Sequence, residues 1–299
     1  MTSLKLNSIL GFTLLCWASA FVGIRIGLDD FSPGALALFR YLIASLVIAL
    51  FYFRLDKKPQ MPLLDKLQMM FLGVLGISIY NLCLNYGEQT VPAGIASFIV
   101  GLMPIFTVLL AIVFLRERPA FVVYIGMAVS FLGLGLIGFA EKANATFNGD
   151  MLVILISAIM GATYTIMQKR LLNRYHPVVV TCWVIWGGTL ALMPFMPAFV
   201  KEISTASSTA VVAVVYLGVF PAAIAYLCWG YVLQFLPASQ AALYAYATPI
   251  ISTLLGMLIL NERPSHLAFL GGLIALSGAV WASYFRQKTT IPVYKKSPL

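Results

Sequence analysis

Long apolar runs alternate with short polar ones along this chain. Ten can be marked between charge clusters and prolines, at roughly 8–28, 33–53, 66–86, 92–114, 119–139, 150–170, 178–199, 208–232, 238–260 and 266–285. Each approaches the ~20 residues that an α-helix needs to cross a bilayer. Several open on a proline at or near the first helical position: Pro33, Pro92, Pro119, Pro177, Pro237 and Pro264. Proline suits that place because its missing N–H would have no helical partner there. The pattern predicts an all-α integral membrane protein of ten transmembrane helices.

Composition sharpens this reading. Of 299 residues, 61% are hydrophobic and only 10% charged, against ~25% charged in soluble domains. The run after Lys5 lacks a small-residue cleavage site and is followed by further spans, so it reads as a first helix and not a signal peptide. The net charge of +9 does not point to nucleic acid, since the basic residues sit in short loops between apolar segments. With the N-terminus in the cytoplasm, fourteen Lys and Arg fall inside and four (Arg25, Lys142, Lys201, Arg263) outside, with Arg40 within a span. This excess sets both termini, and a tail at 286–299, on the cytoplasmic side of a cell membrane of the bacterial inner-membrane kind. Cys16, Cys83, Cys182 and Cys228 form no CxxC and have no histidine nearby, so they read as small buried hydrophobes. No metal and no cofactor is expected.

An internal repeat divides the chain. Residues 86–138, moved by 145 positions, fall on 231–283 with fifteen identities, among them Tyr86/Tyr231, Pro104/Pro249, Glu117/Glu262, Arg118/Arg263, Pro119/Pro264, Gly126/Gly271 and Gly133/Gly278. The halves are 1–140 and 150–285, joined by a polar link. Each holds five helices, an odd number, so the second half enters the membrane upside down. Inverted repeats are a hallmark of secondary transporters, because two similar halves in opposite orientation can exchange conformations.

Two turns, Leu-Arg-Glu-Arg-Pro at 115–119 and Leu-Asn-Glu-Arg-Pro at 260–264, each precede a glycine-rich helix. With Trp17-Ala18-Ser19-Ala20-Phe21 and Phe39-Arg40-Tyr41, they resemble the drug/metabolite transporter superfamily in its EamA type of five plus five helices. The resemblance covers nearly the whole chain. It implies a metabolite carrier, often an exporter of amino acids or related compounds.

Pro104 and Pro249 sit at the midpoints of the fourth and ninth runs. Each frees the carbonyl four residues back, Val100 or Ala245. They are read as packed kinks or as hinges beside a substrate cavity. The candidates for substrate contact, chosen by face and depth, are Trp17, Arg40, Tyr80, Asn81, Asn85, Phe98, Tyr164, Gln168, Trp183, Tyr226, Trp229 and Tyr244. Asn81 and Asn85 line up with Ser78 at helical spacing and must face protein or a wet cavity. Arg40 lies about seven residues inside the second run, where a charge is costly in lipid. It either grips a substrate carboxylate or phosphate through its planar fork or serves as a structural post. Glu117 and Glu262 read as helix-end carboxylates of structural hairpins. The small residues of the fifth and tenth runs suit close helix packing, with dimerisation as a further use; the chain is expected to be a monomer or a homodimer in lipid.

All ten acidic residues fall in loops or at span ends. Proton-driven carriers commonly use an acidic residue or histidine deep in the membrane. The sequence therefore predicts facilitated diffusion or exchange of a neutral, zwitterionic or anionic metabolite by alternating access. A cationic-drug pump would want a membrane carboxylate. An intramembrane enzyme would want an HExxH, paired aspartates or a nucleophile–His–acid set, none of which is present.

Overall fold

The structure, a computed structural model, describes residues 3–56, 59–91, 93–117, 119–141, 149–259 and 266–284. It has ten helical segments: α1 Ser3–Leu28, α2 Pro33–Phe53, α3 Leu63–Glu88, α4 in two pieces (Ala93–Val100 and Met103–Leu115), α5 Phe121–Glu141, α6 Gly149–Leu172, α7 Pro177–Ile203, α8 Ser208–Phe235, α9 Ala238–Ile259 and α10 His266–Tyr284. The all-α, ten-helix architecture is as the sequence pattern predicts. Pro33 and Pro177 open α2 and α7, whereas Pro237 is the residue before α9; Pro92, Pro264, Glu262 and residues 286–299 lie outside the described residues. The outward surface is apolar: Leu46, Leu132 and Leu258 are 72%, 68% and 79% exposed, which only a lipid solvent tolerates on this scale. All four cysteines are free.

Two long helices, α3 and α8, are not uniform. A π-helical stretch occupies Val74–Ile79 in α3 and Gly218–Ile224 in α8. The two begin 144 residues apart, at the same place in the repeat. Each follows or starts at a glycine pressed on a helix of the other half. A Cβ on Gly73 would meet the carbonyl oxygen of Val184 in α7 at 2.0 Å, and one on Gly218 would meet that of Arg40 in α2 at 2.7 Å. Side chains cannot enter such crossings, and the wider turn lets the helix bend around its neighbour.

The glycine-rich helices α5 and α10 pack on each other within one chain. The Gly133 position faces Ala275 and the Gly271 carbonyl, Gly278 faces Gly126 and Ser130, and Ser130 Oγ donates to the Ala275 carbonyl at 2.9 Å. Gly133, Gly278 and Ala275 are therefore used in close packing within one chain, while the Gly135 position is open.

Polar groups tie the helix ends. At the end where α1 begins, called the basic end for Lys66, Arg116, Lys169, Arg170 and Arg174, Glu117 accepts from Ala238 N at 3.0 Å and from Ser239 N at 3.1 Å. The sequence reading gave Glu117 to its own hairpin; it is instead the carboxylate cap of α9, reached because Arg116 adopts a left-handed turn with φ 55° at the end of α4. At the opposite end Glu202 accepts from Ser32 N at 2.9 Å ahead of α2, and Asp30 accepts from Ser207 N and Oγ ahead of α8.

Candidate functional site

Between the two halves lies a cavity of about 80 Å³, room for several waters. Both repeats line it. Trp17, Phe21 and Ile24 come from α1, Arg40 from α2, Tyr80 and Leu84 from α3, Tyr164 from α6, and Tyr226 and Trp229 from α8. The two helix breaks complete the wall. α4 is interrupted at Gly101 and Leu102, and α9 passes through a 3₁₀ turn at Ala245–Ala247. Pro104 and Pro249 stand just after these breaks, and Val100, Gly101, Ala245 and Thr248 all border the cavity. Proline removes the hydrogen bond that would keep each helix continuous there.

The deep side of the cavity is aromatic. Trp17 lies 5.9 Å from Tyr226, edge to face, and 5.1 Å from Trp229; Tyr164 lies 5.8 Å from Tyr226. The Trp17 indole N–H donates to the Pro221 carbonyl at 3.3 Å, inside the π-helical stretch of α8. From this box the lining climbs toward Ile24, Leu84 and Ser97, each within about a turn of the end opposite the basic one.

One charge sits among these rings. Arg40 is 4% exposed. Its Nη1 donates to Asn81 Oδ1 at 3.0 Å, Asn81 Nδ2 donates in turn to the Tyr41 hydroxyl at 2.9 Å and to the Ile77 carbonyl, and the Tyr41 hydroxyl approaches that of Tyr226 at 3.5 Å. The Nε of Arg40 is buried without a hydrogen-bond partner. Asn81 thus aims the guanidinium but does not neutralise it. The buried Glu88 acts on the same surroundings, since it and Arg40 both influence Tyr80 electrostatically.

Six of the twelve candidates therefore line the cavity: Trp17, Arg40, Tyr80, Tyr164, Tyr226 and Trp229. The others do not. Asn81 stands behind Arg40. Asn85 donates to the Pro33 carbonyl at 3.0 Å, and Ser78 to that of Gly188 at 2.8 Å, so the polar stripe of α3 faces its helical neighbours. Gln168 is fully buried one turn beyond Tyr164. Trp183 packs on Trp186 and under the Lys66 ammonium at the basic end. Tyr244 packs into the apolar core. The side chain of Phe98 lies outside those described. Sequence reasoning missed the neutral members Phe21, Ile24, Leu84 and Met103, which carry no polar signal.

The acidic residues also need a correction. Glu88 is near the end of α3, as its position suggested, yet it is fully buried.

An inverted pair of five-helix halves, with broken helices meeting at a cavity that holds one buried charge, is the architecture of a secondary transporter. The chain belongs to the EamA-like transporter family, which matches it over residues 8–139 and again over 149–284; it is a multi-pass membrane protein. It is 38% identical over 88% of its length, and 85% of the relative's, to an uncharacterized transporter of Bacillus subtilis, YdfC. It is 36% identical over 90% of both chains to a probable terminal-alkyne amino-acid exporter of Streptantibioticus cattleyicolor. A crystal structure at 18% identity overlays with a TM-score of 0.77, covering 94% of this chain and 98% of the other, and shares its fold.

Proposed function

We propose that this protein is a carrier, working as an exporter, of amino acids and related zwitterionic or anionic metabolites, by alternating access between two repeats hinged at Pro104 and Pro249. The observation that carries this is Arg40: a buried guanidinium at the cavity wall, aimed by Asn81, with Nε unused. Burying a guanidinium is costly, and an arriving carboxylate offsets that cost through a planar two-point pairing that uses the free Nε. A cation would be repelled. The largely apolar and aromatic lining around Arg40 suits an amino acid with an apolar side chain, while its ammonium meets ring faces and the backbone at the two helix breaks. The export direction follows the wording of the similar exporter's name, and a cytoplasmic basic end follows the Lys and Arg distribution.

The test is competition in proteoliposomes. Exchange of radiolabelled L-leucine should be inhibited by other apolar amino acids and not by leucinamide, which lacks the carboxylate. Arg40→Gln should lower exchange by about a hundredfold, as expected when a charge-assisted pair of some 2–3 kcal/mol is lost. Equal inhibition by leucinamide, or full activity of Arg40→Gln, would refute the reading.

A further inference from the structure

Below the aromatic box, toward the basic end, two buried polar groups face one bare glycine, and a third stands beside them. Gln168 of α6 and Thr181 of α7 are both fully buried, and neither the Gln168 amide atoms nor Thr181 Oγ1 has a hydrogen-bond partner. A Cβ on Gly230 of α8 would lie 3.4 Å from Thr181 Oγ1 and 3.7 Å from Gln168 Nε2. The two side chains thus face the same spot, where α8 presents no side chain. The Tyr164 hydroxyl lies against Gln168 and closes no hydrogen bond of ordinary geometry, while Tyr164 itself lines the cavity. The spot therefore lies one helical turn from a cavity-lining residue, outside the lining itself.

Buried side-chain polar groups are nearly always paired, and leaving one dry is costly. Two of them, on α6 and α7, face one glycine of α8, and the Tyr164 hydroxyl of α6 stands beside Gln168; together they mark a place that accepts a polar guest. The spot carries no charge of its own. The neighbouring Lys169 directs its ammonium to the carbonyls of Leu233 and Leu236 at the end of α8, which closes the bundle just beyond. An amide and two hydroxyls offer donors and acceptors together, the chemistry that replaces hydration of a zwitterion without binding it tightly.

We propose that Gln168, Thr181 and the Tyr164 hydroxyl form a second, uncharged polar station, between Arg40 and the basic end, that holds the substrate's head group and its water by hydrogen bonds during passage. This rests on the amino-acid reading above.

Two experiments test it. Gln168→Leu, Thr181→Val and the double variant remove the polar atoms at similar volume. The double variant should keep or raise its Tm, bind L-leucine within twofold of the wild type by quenching of Trp17 and Trp229 fluorescence, and exchange leucine at least tenfold more slowly. Exchange within twofold of the wild type would overturn the station, and so would a loss of exchange that merely tracks a fall in Tm. The second readout needs no substrate. Thr181→Cys, in a chain whose four native cysteines are replaced, should react with a small methanethiosulfonate and be shielded by L-leucine. No reaction, with exchange intact, refutes the station alone. Reaction without leucine shielding, in a protein whose wild type exchanges no amino acid, refutes the amino-acid reading and leaves a hydrated station standing.

Discussion

Arg25 donates to the backbone carbonyl of Glu88 at 2.7 Å, joining the ends of α1 and α3. The carbonyl 145 positions further on, that of Leu233, receives the ammonium of Lys169 and so joins the ends of α6 and α8. The repeat relates the two contacts, and its inversion sets them at opposite ends of the bundle. Each is a cation holding a helix-end carbonyl, and both are made in this structure. The alternating access proposed above has them break in turn. Hydrogen bonds to charged groups contribute about 1.5–3 kcal/mol, so losing one should shift the population open at its own end by about tenfold or more. Lys169→Met should lengthen the distance between spin labels at Arg174 and Phe235. Arg25→Met should do the same between Asp29 and Thr90, and the double variant should restore the balance. Unchanged distances at both ends would contradict this role.

Asn81 touches Arg40 but is not itself part of the cavity lining. Its replacement by Leu should therefore weaken substrate capture without abolishing turnover. The expected result is a half-saturation concentration for leucine exchange raised about tenfold, with the maximal rate within a few-fold. Such a split is what loss of orientation at a binding group produces.

Gly73 packs where α3 crosses α7, with backbone at the distance a methyl would need. Gly73→Ala should destabilise the protein by about 3 kcal/mol or more, read as lost Tm and yield, because backbone cannot yield as a side chain does. Gly135 is the control. Nothing lies within 4 Å of its Cβ position, so Gly135→Ala should raise stability by ~0.5–1 kcal/mol.

His176 caps α7 by accepting from Val178 N at 3.3 Å through Nδ1, which requires a neutral ring. Desolvation holds its pKa below the ordinary 6.5, where the ring packs on Tyr231. The folded state then binds fewer protons than the unfolded one. Stability is present above about pH 6.5 and is lost as pH falls from there through the lowered folded value. A Tm series from pH 7.5 to 5 should show this decline in the wild type and a shallower one in His176→Asn, a cap that does not titrate. Asp30 cannot mimic it, since hydrogen bonds from Ser207 hold its carboxyl below the usual 3.8.

The spans were legible because lipid demands continuous apolar length, and the repeat because Glu-Arg-Pro recurs at 117–119 and 262–264. Arg40 was legible because charge in a span is rare. The faces were less so. Helical spacing grouped Ser78, Asn81 and Asn85 correctly, but their polarity serves α2 and α7, and Tyr80 and Leu84 on the adjoining face reach the cavity. The π-helical stretches leave little sequence signature apart from Gly73, Gly218 and the in-helix Pro221. Glu117 read as the end of its own hairpin because a single sequence cannot show that α9 starts beside it.

The measurement that bears most directly on the central claim is counterflow in sealed proteoliposomes without any ion gradient. Vesicles loaded with unlabelled L-leucine should transiently accumulate labelled leucine, saturably, and Arg40→Gln vesicles should not. An imposed proton gradient should add no concentrative uptake. The contradicting result is no counterflow under any loading, with accumulation only under a proton gradient and its loss in Glu88→Gln, which would make the buried Glu88 carboxyl the coupling group.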